Sequence, residues 1–123
     1  SEIYNIAPDV WVCVEQAKRE GRRIIAIGTT TLRALESFAL EGNHISGSDV
    51  WMETDLFISP GFTFKITDCL LTNFHLSESS LLMLVSAFGG HARVMRAYHH
   101  AIQSRYRFFS YGDACWIERM NGV

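Results

Sequence analysis

The apolar run Ile24-Ile25-Ala26-Ile27 lies between Gly21 and the triplet Thr29-Thr30-Thr31, and it constrains the fold more than any other stretch. An unbroken run, rather than an alternating one, is what a strand buried on both faces of a helix-flanked sheet requires. Both flanks fit that setting. Ala7-Pro8-Asp9 opens a helix, because Pro tolerates the first helical position and Asp9 complements the positive end of the dipole. Val10, Val14 and Ala17 recur at helical spacing, Lys18 and Arg19 sit at the negative end, and Gly21 stops a helix reaching about residue 20. After the run, Thr29-Thr30-Thr31 opens a second helix with Leu32, Leu35, Phe38 and Ala39 as its core stripe, ended by Gly42-Asn43. Helix, strand, helix predicts an α/β class with a mixed or parallel sheet and flanking helices.

The remaining pattern extends this. Residues 2–6 read as a strand, and residues 43–53 as a polar loop with room for a short strand. Residues 54–58 are strand-like, Ser59-Pro60-Gly61-Phe62 is turn chemistry, and residues 64–67 resume an extended pattern, giving either a hairpin or a crossing to distant strands. Residues 70–76 predict another strand, after which Ser77-Glu78-Ser79-Ser80 caps a helix over 78–88. That helix is apolar nearly all round, which places it in the centre of the domain, and Gly89-Gly90 stops it. Residues 91–105 form an amphipathic helix with Val94, Tyr98, Ala101 and Ile102 on one side and Arg93, Arg96 and His100 on another. An aromatic loop over 106–113 and an edge strand over 114–118 complete the chain.

Composition excludes several classes. In 123 residues, 48% apolar and 20% charged content rules out a disordered, collagen-like or low-complexity chain, and neither a repeat nor a linker divides it. Cys13, Cys69 and Cys115 are odd in number and far apart, so neither a disulfide framework nor a zinc knuckle is indicated, and a reducing cytoplasm fits. The longest apolar run, Leu81-Leu82-Met83-Leu84-Val85, is far below the roughly 18–20 residues of a membrane span, and no signal segment opens the chain. Ser1, not Met, leads directly into a strand pattern, so the chain is expected to be part of a longer protein. Net charge is -2, which argues against a generic nucleic-acid binder, yet residues 91–123 carry five Arg against two acids.

Three places can carry chemistry. Gly28-Thr29-Thr30-Thr31-Leu32-Arg33 joins a strand to a helix N-terminus, where free amides and Thr hydroxyls can hold a carboxylate or phosphate and Arg33 can clamp it; plain capping is the competing reading. Thr72-Asn73-Phe74-His75 lies at a strand's carboxyl end, where open α/β sheets place ligands. His75 suits proton transfer and Asn73 can donate and accept, or His75 merely satisfies neighbouring backbone groups. In Tyr106-Arg107-Phe108-Phe109-Ser110-Tyr111-Gly112-Asp113, the rings can stack on bases and Arg107 pair with phosphate, or the rings pack into the core. Asp113 is either an acid/base or ribose-binding group or a turn residue after Gly112.

At these residues the chain resembles the S-adenosylmethionine:tRNA ribosyltransferase-isomerases, the family that makes epoxyqueuosine in bacterial tRNA. The resemblance rests on five ordered blocks. They are Gly28-Thr29-Thr30 with Arg33 and Leu35-Glu36-Ser37; Thr54-Asp55-Leu56-Phe57-Ile58 with Pro60-Gly61; Thr72-Asn73-Phe74-His75-Leu76; Leu82-Met83-Leu84-Val85-Ser86-Ala87-Phe88; and Tyr106 through Asp113 with Ala114. Ser77 stands where the family usually has Pro, Ser80 where it has Thr, Gly89 where it has Ala and Cys115 where it has Met.

The resemblance implies a C-terminal portion of a larger two-domain enzyme, residues 1–123 being part of its α/β domain without the N-terminal segment and the inserted β-barrel domain. It implies transfer of the ribosyl part of S-adenosylmethionine, as co-substrate, to 7-aminomethyl-7-deazaguanine at the wobble position of a tRNA with a queuosine-type anticodon. Adenine and methionine leave, no metal is expected, and the cytoplasm is the setting. His75 and Asp113 are the implied acid/base groups. Thr29, Thr30 and Arg33 are expected to hold an anionic group, with Asn73, Arg107, Phe109 and Tyr111 as further substrate contacts. The alternative is an inactive α/β piece whose blocks build shared core, acting as a structural or interaction module.

Overall fold

The positive end of the first helix is set by Pro8 at its first position with Asp9 beside it, and the rest of the architecture follows in a computed structural model that describes residues 2–42, 51–75, 79–108 and 112–120. The elements run β1 (Glu2–Tyr4), α1 (Pro8–Arg19), β2 (Ile25–Ile27), α2 (Thr29–Ser37), β3 (Met52–Thr54), β4 (Cys69–Asn73), α3 (Ser80–Gly89), α4 (His91–Gln103) and β5 (Ala114–Glu118). A single π-helical turn, Phe38–Gly42, continues α2. β2 pairs in parallel with β4, Ala26 opposite Leu70, and β5 adds antiparallel to β4, Leu71 opposite Trp116 and Asn73 opposite Ala114. β1 and β3 form a separate antiparallel pair. The mixed sheet with flanking helices is the architecture expected.

Alternation along these strands decides what each face meets. Ala26 and Leu70 are fully buried towards the helices, and Ile117 lies under α3, where a Cβ on Gly89 would come 2.6 Å from its Cγ2. α3 fills the centre: Leu84, Val85 and Phe88 have no exposed surface, and Phe64 meets Phe88 edge-on at 5.0 Å. Ser79 caps α3 by accepting the Leu82 N–H at 3.1 Å; residues 76–78 of the anticipated cap lie outside the described residues. Trp11 anchors α1 against Phe38, ring centroids 4.5 Å apart.

Several expectations are corrected. β2 is not buried on both faces: Ile25 is 45% and Ile27 69% exposed, because the helices cover only the Ala26 side. The stripe of α1 runs through Trp11 and leaves Val10 exposed, and in α4 Ile102 is 61% exposed, since Val94, Tyr98 and Ala101 already fill the contact. The strand placed at 54–58 is Met52–Thr54 instead, and no hairpin with residues 64–67 forms. The reason is Glu36. Its carboxylate, 1% exposed, accepts the N–H groups of Lys65 at 2.7 Å, Ile66 at 3.1 Å and Thr67 at 2.9 Å, so these amides are spent on a side chain and cannot ladder with a strand. Thr54 is likewise turned to local duty, its hydroxyl bonding Ser37 at 3.0 Å and accepting the Leu56 N–H. The strand expected over 70–76 ends at Asn73, leaving Phe74 and His75 just beyond the ladder. Of the polar stretch 43–53, residues 43–50 lie outside the described residues and Met52 and Glu53 belong to β3.

Candidate functional site at the carboxyl ends of β2 and β4

The turn from β2 into α2 is made by Gly28, whose φ of +93° lies where a side chain is strained and whose N–H donates to the Leu71 carbonyl at 2.8 Å. Gly28 is also the N-cap of α2, and no side chain caps that end. Leu32 is the first residue of the turn to bond back, to the Gly28 carbonyl, so the preceding amides stay available to a ligand at the positive end of the dipole. The threonines are therefore not plain caps: Thr29 is buried and Thr30 exposed at the mouth of a cleft of about 380 Å3. Ile27 and Leu71 form its apolar side, and Thr72, Asn73, His75 and Ala114 complete it. Two loop-connected strand ends thus bring Thr29, Thr30, Asn73 and His75 together, at the crevice where parallel strands present ligands.

His75 is held from two sides. Its backbone N–H donates to the Tyr98 hydroxyl at 2.9 Å, and its Nε2 lies 3.1 Å from the Thr72 hydroxyl. Burial pushes the imidazole below its usual range, so the ring is neutral at neutral pH and offers a lone pair. With Nε2 directed at Thr72, Nδ1 is the nitrogen left for a substrate proton. Cys115, half-buried on the helix side of β5, is pushed up to about 11 by burial, which removes it as a thiolate nucleophile.

The other expected site residues sit apart from this cleft. Asp113 is tied to Arg107: its Oδ2 accepts the Arg107 N–H at 2.8 Å, its own N–H donates to the Arg107 carbonyl at 2.8 Å, and the Arg107 guanidinium lies 4.0 Å from Oδ1. It adjoins Ala114, the partner of Asn73, yet does not line the cleft. Arg33 is paired with Glu2 of β1 and also lies outside the lining. Phe109 and Tyr111 fall outside the described residues. Of the remaining rings, Phe108 is half-buried and 5.1 Å from Phe74, whereas Tyr106 is exposed. Sequence reasoning missed Thr72 and Tyr98 as the groups that fix His75; the spacing of three between Thr72 and His75 was the available signal, while Tyr98 is reached only through the packing of α4.

A mixed sheet with helices along one face, and a candidate cleft at the ends of its parallel strands where a helix N-terminus meets a neutral histidine, defines an α/β domain. The chain belongs to the family described as queuosine biosynthesis protein, which matches residues 1–117. It is similar to the S-adenosylmethionine:tRNA ribosyltransferase-isomerase of Nitrosospira multiformis, 49% identical across 100% of this chain and 37% of that protein. The protein of the same name from Legionella pneumophila is 55% identical over 93% of this chain and 33% of its own length. The crystal structure of S-adenosylmethionine tRNA ribosyltransferase from Thermotoga maritima superposes with a TM-score of 0.84 and 45% identity, covering 95% of this chain and 41% of that one. The chain thus spans about a third of the length of the curated relatives it matches.

Proposed function

We propose that the chain forms the C-terminal part of the α/β domain of an S-adenosylmethionine:tRNA ribosyltransferase-isomerase acting in the cytoplasm. The reaction moves the ribosyl moiety of S-adenosylmethionine to 7-aminomethyl-7-deazaguanine at the wobble position of a queuosine-type tRNA, and adenine and methionine leave. One observation carries this reading: the neutral His75 shares a cleft with the open N-terminus of α2 in a chain of this family. The chemistry needs a base for a proton on carbon beside the sulfonium and an acid for departing adenine. On this reading His75 removes the proton through Nδ1, held by Thr72 and Tyr98. The α2 amides with Thr29 and Thr30 hold an anionic group of the substrate, the methionine carboxylate or a tRNA phosphate, and Asn73 orients it. Asp113, Arg107, Arg33, Phe109 and Tyr111 are assigned to the tRNA or adenine side, with Asp113 and Arg107 held to each other.

A second reading, that the chain alone is inactive, is favoured by its coverage of 37% of the Nitrosospira protein and by the open face of β2. One experiment addresses both. The chain, and a chimera in which it replaces the matching part of the Nitrosospira multiformis protein, are incubated with S-adenosylmethionine and an RNA hairpin bearing the modified guanine. Adenine release by the chimera, reduced roughly 10²- to 10⁴-fold by His75→Ala, supports the assignment. An unchanged rate in that variant removes His75 as the base, and release by the chain alone removes the second reading.

A further inference from the structure

A second groove, about 340 Å3, runs between α4 and β5, with Phe74 beyond the end of β4 also in its lining. Its floor is apolar, with Val94, Ala97 and Tyr98, and Tyr106 stands at its side, 43% exposed, with the His100 ring 5.7 Å away. Arg93 and His100 border it two helical turns apart, and Arg96, between them in sequence and outside the lining, continues the same stripe. No Asp or Glu occurs in α4. Among the described residues, Arg22, Arg23, Arg33, Arg107 and Arg119 have a carboxylate partner, whereas Arg19, Arg93, Arg96 and Arg105 have none, and of these four Arg93 alone lines the groove. One acid, Glu118, lines the groove, and it is paired with Arg23 at 3.1 Å. An exposed aromatic face beside unpaired guanidinium groups suits a polyanion that also offers flat rings, which describes unpaired RNA rather than an acidic peptide.

We propose that the α4–β5 groove binds an unpaired nucleotide of an RNA, its base against Tyr106 and its flanking phosphates on Arg93 and Arg96. This rests on the reading of tRNA as substrate and adds a contact surface with a lining distinct from that of the His75 cleft, the two adjoining at Tyr98, whose hydroxyl accepts the His75 N–H. The test is binding of the chain to a short RNA hairpin with an unpaired loop, compared with the fully paired duplex of the same stem and with inorganic polyphosphate. The hairpin is expected to bind tightest. Tyr106→Leu, which keeps apolar bulk, weakens it about tenfold, whereas Tyr106→Phe retains binding. Arg93→Ala and Arg96→Ala each lower the slope of log affinity against log salt by roughly 0.7. No hairpin binding by the unaltered chain, equal binding of hairpin and polyphosphate, or indifference to Tyr106→Leu overturns the proposal. The two readings fail separately in the chimera described above. Absent adenine release with intact hairpin binding counts against the transferase assignment alone, whereas normal release with an unchanged KM for RNA in Tyr106→Leu and Arg93→Ala counts against the groove alone.

Discussion

Two side chains show how single residues divide the labour between structure and chemistry. Glu36 is an acid within a family-like block, and it is buried as the acceptor of three consecutive backbone amides. Replacing one oxygen by NH2 in Glu36→Gln sets donor against donor and leaves amides unpaired, at a cost of about 2–4 kcal/mol, read as a lower urea midpoint of the chain. A midpoint unchanged within error would show that those amides find other partners. His75 faces the opposite demand. Its pKa is lowered by burial in the folded chain, so as pH falls the unfolded chain takes up the proton first, and stability that is full above about pH 6.5 is lost through the lowered value. His75→Gln lacks that titration. The unfolding free energy of the unaltered chain is therefore expected to fall relative to the variant between about pH 7 and 5, and parallel profiles would contradict a half-buried ring held neutral by its surroundings.

At the scale of elements, the helices were legible because their signals are local. Pro8, Gly21 and the serine and glycine signals flanking the apolar run of α3 act within a few residues, and the helix bounds follow them closely. The segment 64–67 was not, because the group that decides its conformation is Glu36, some thirty residues away in sequence. The α3–α4 joint combines both kinds of information. Gly90 ends one helix and starts the next at a φ of +89°, and a Cβ there would also meet the Met120 sulfur. Gly21, at +73°, has open space around it. Alanine at Gly21 therefore costs about 1 kcal/mol from backbone strain alone, whereas Gly90→Ala costs about 2–3 kcal/mol because Met120 must move as well. Equal losses in denaturant titrations of the two variants would show that the contact with Met120 yields freely.

For the whole molecule, the site was partly legible. The strand-end position of Thr72-Asn73-Phe74-His75 and the helix start at Thr29 could be read locally, and the parallel pairing of β2 with β4 brings them together. The placement of Asp113 outside the cleft could not, since it depends on Asp113 bonding back to Arg107. Nor could the open face of the sheet. An apolar run looks the same whether one or two layers cover it, and only the packing shows Ile25, Ile27 and Trp116 exposed, with the Arg23 guanidinium 5.9 Å above the Trp116 ring. Contiguous exposed apolar side chains on a sheet face favour association. Ile25 separates this from function, because it pairs opposite Cys69 and does not line the His75 cleft. Threonine keeps the β-branch that suits a strand, so Ile25→Thr is expected to leave the unfolding free energy within about 0.5–1 kcal/mol. The same variant is expected to lower both the binding of an apolar fluorescent dye and light scattering at high concentration. Unaltered dye binding would mean that this face is not the apolar surface the chain presents to solvent.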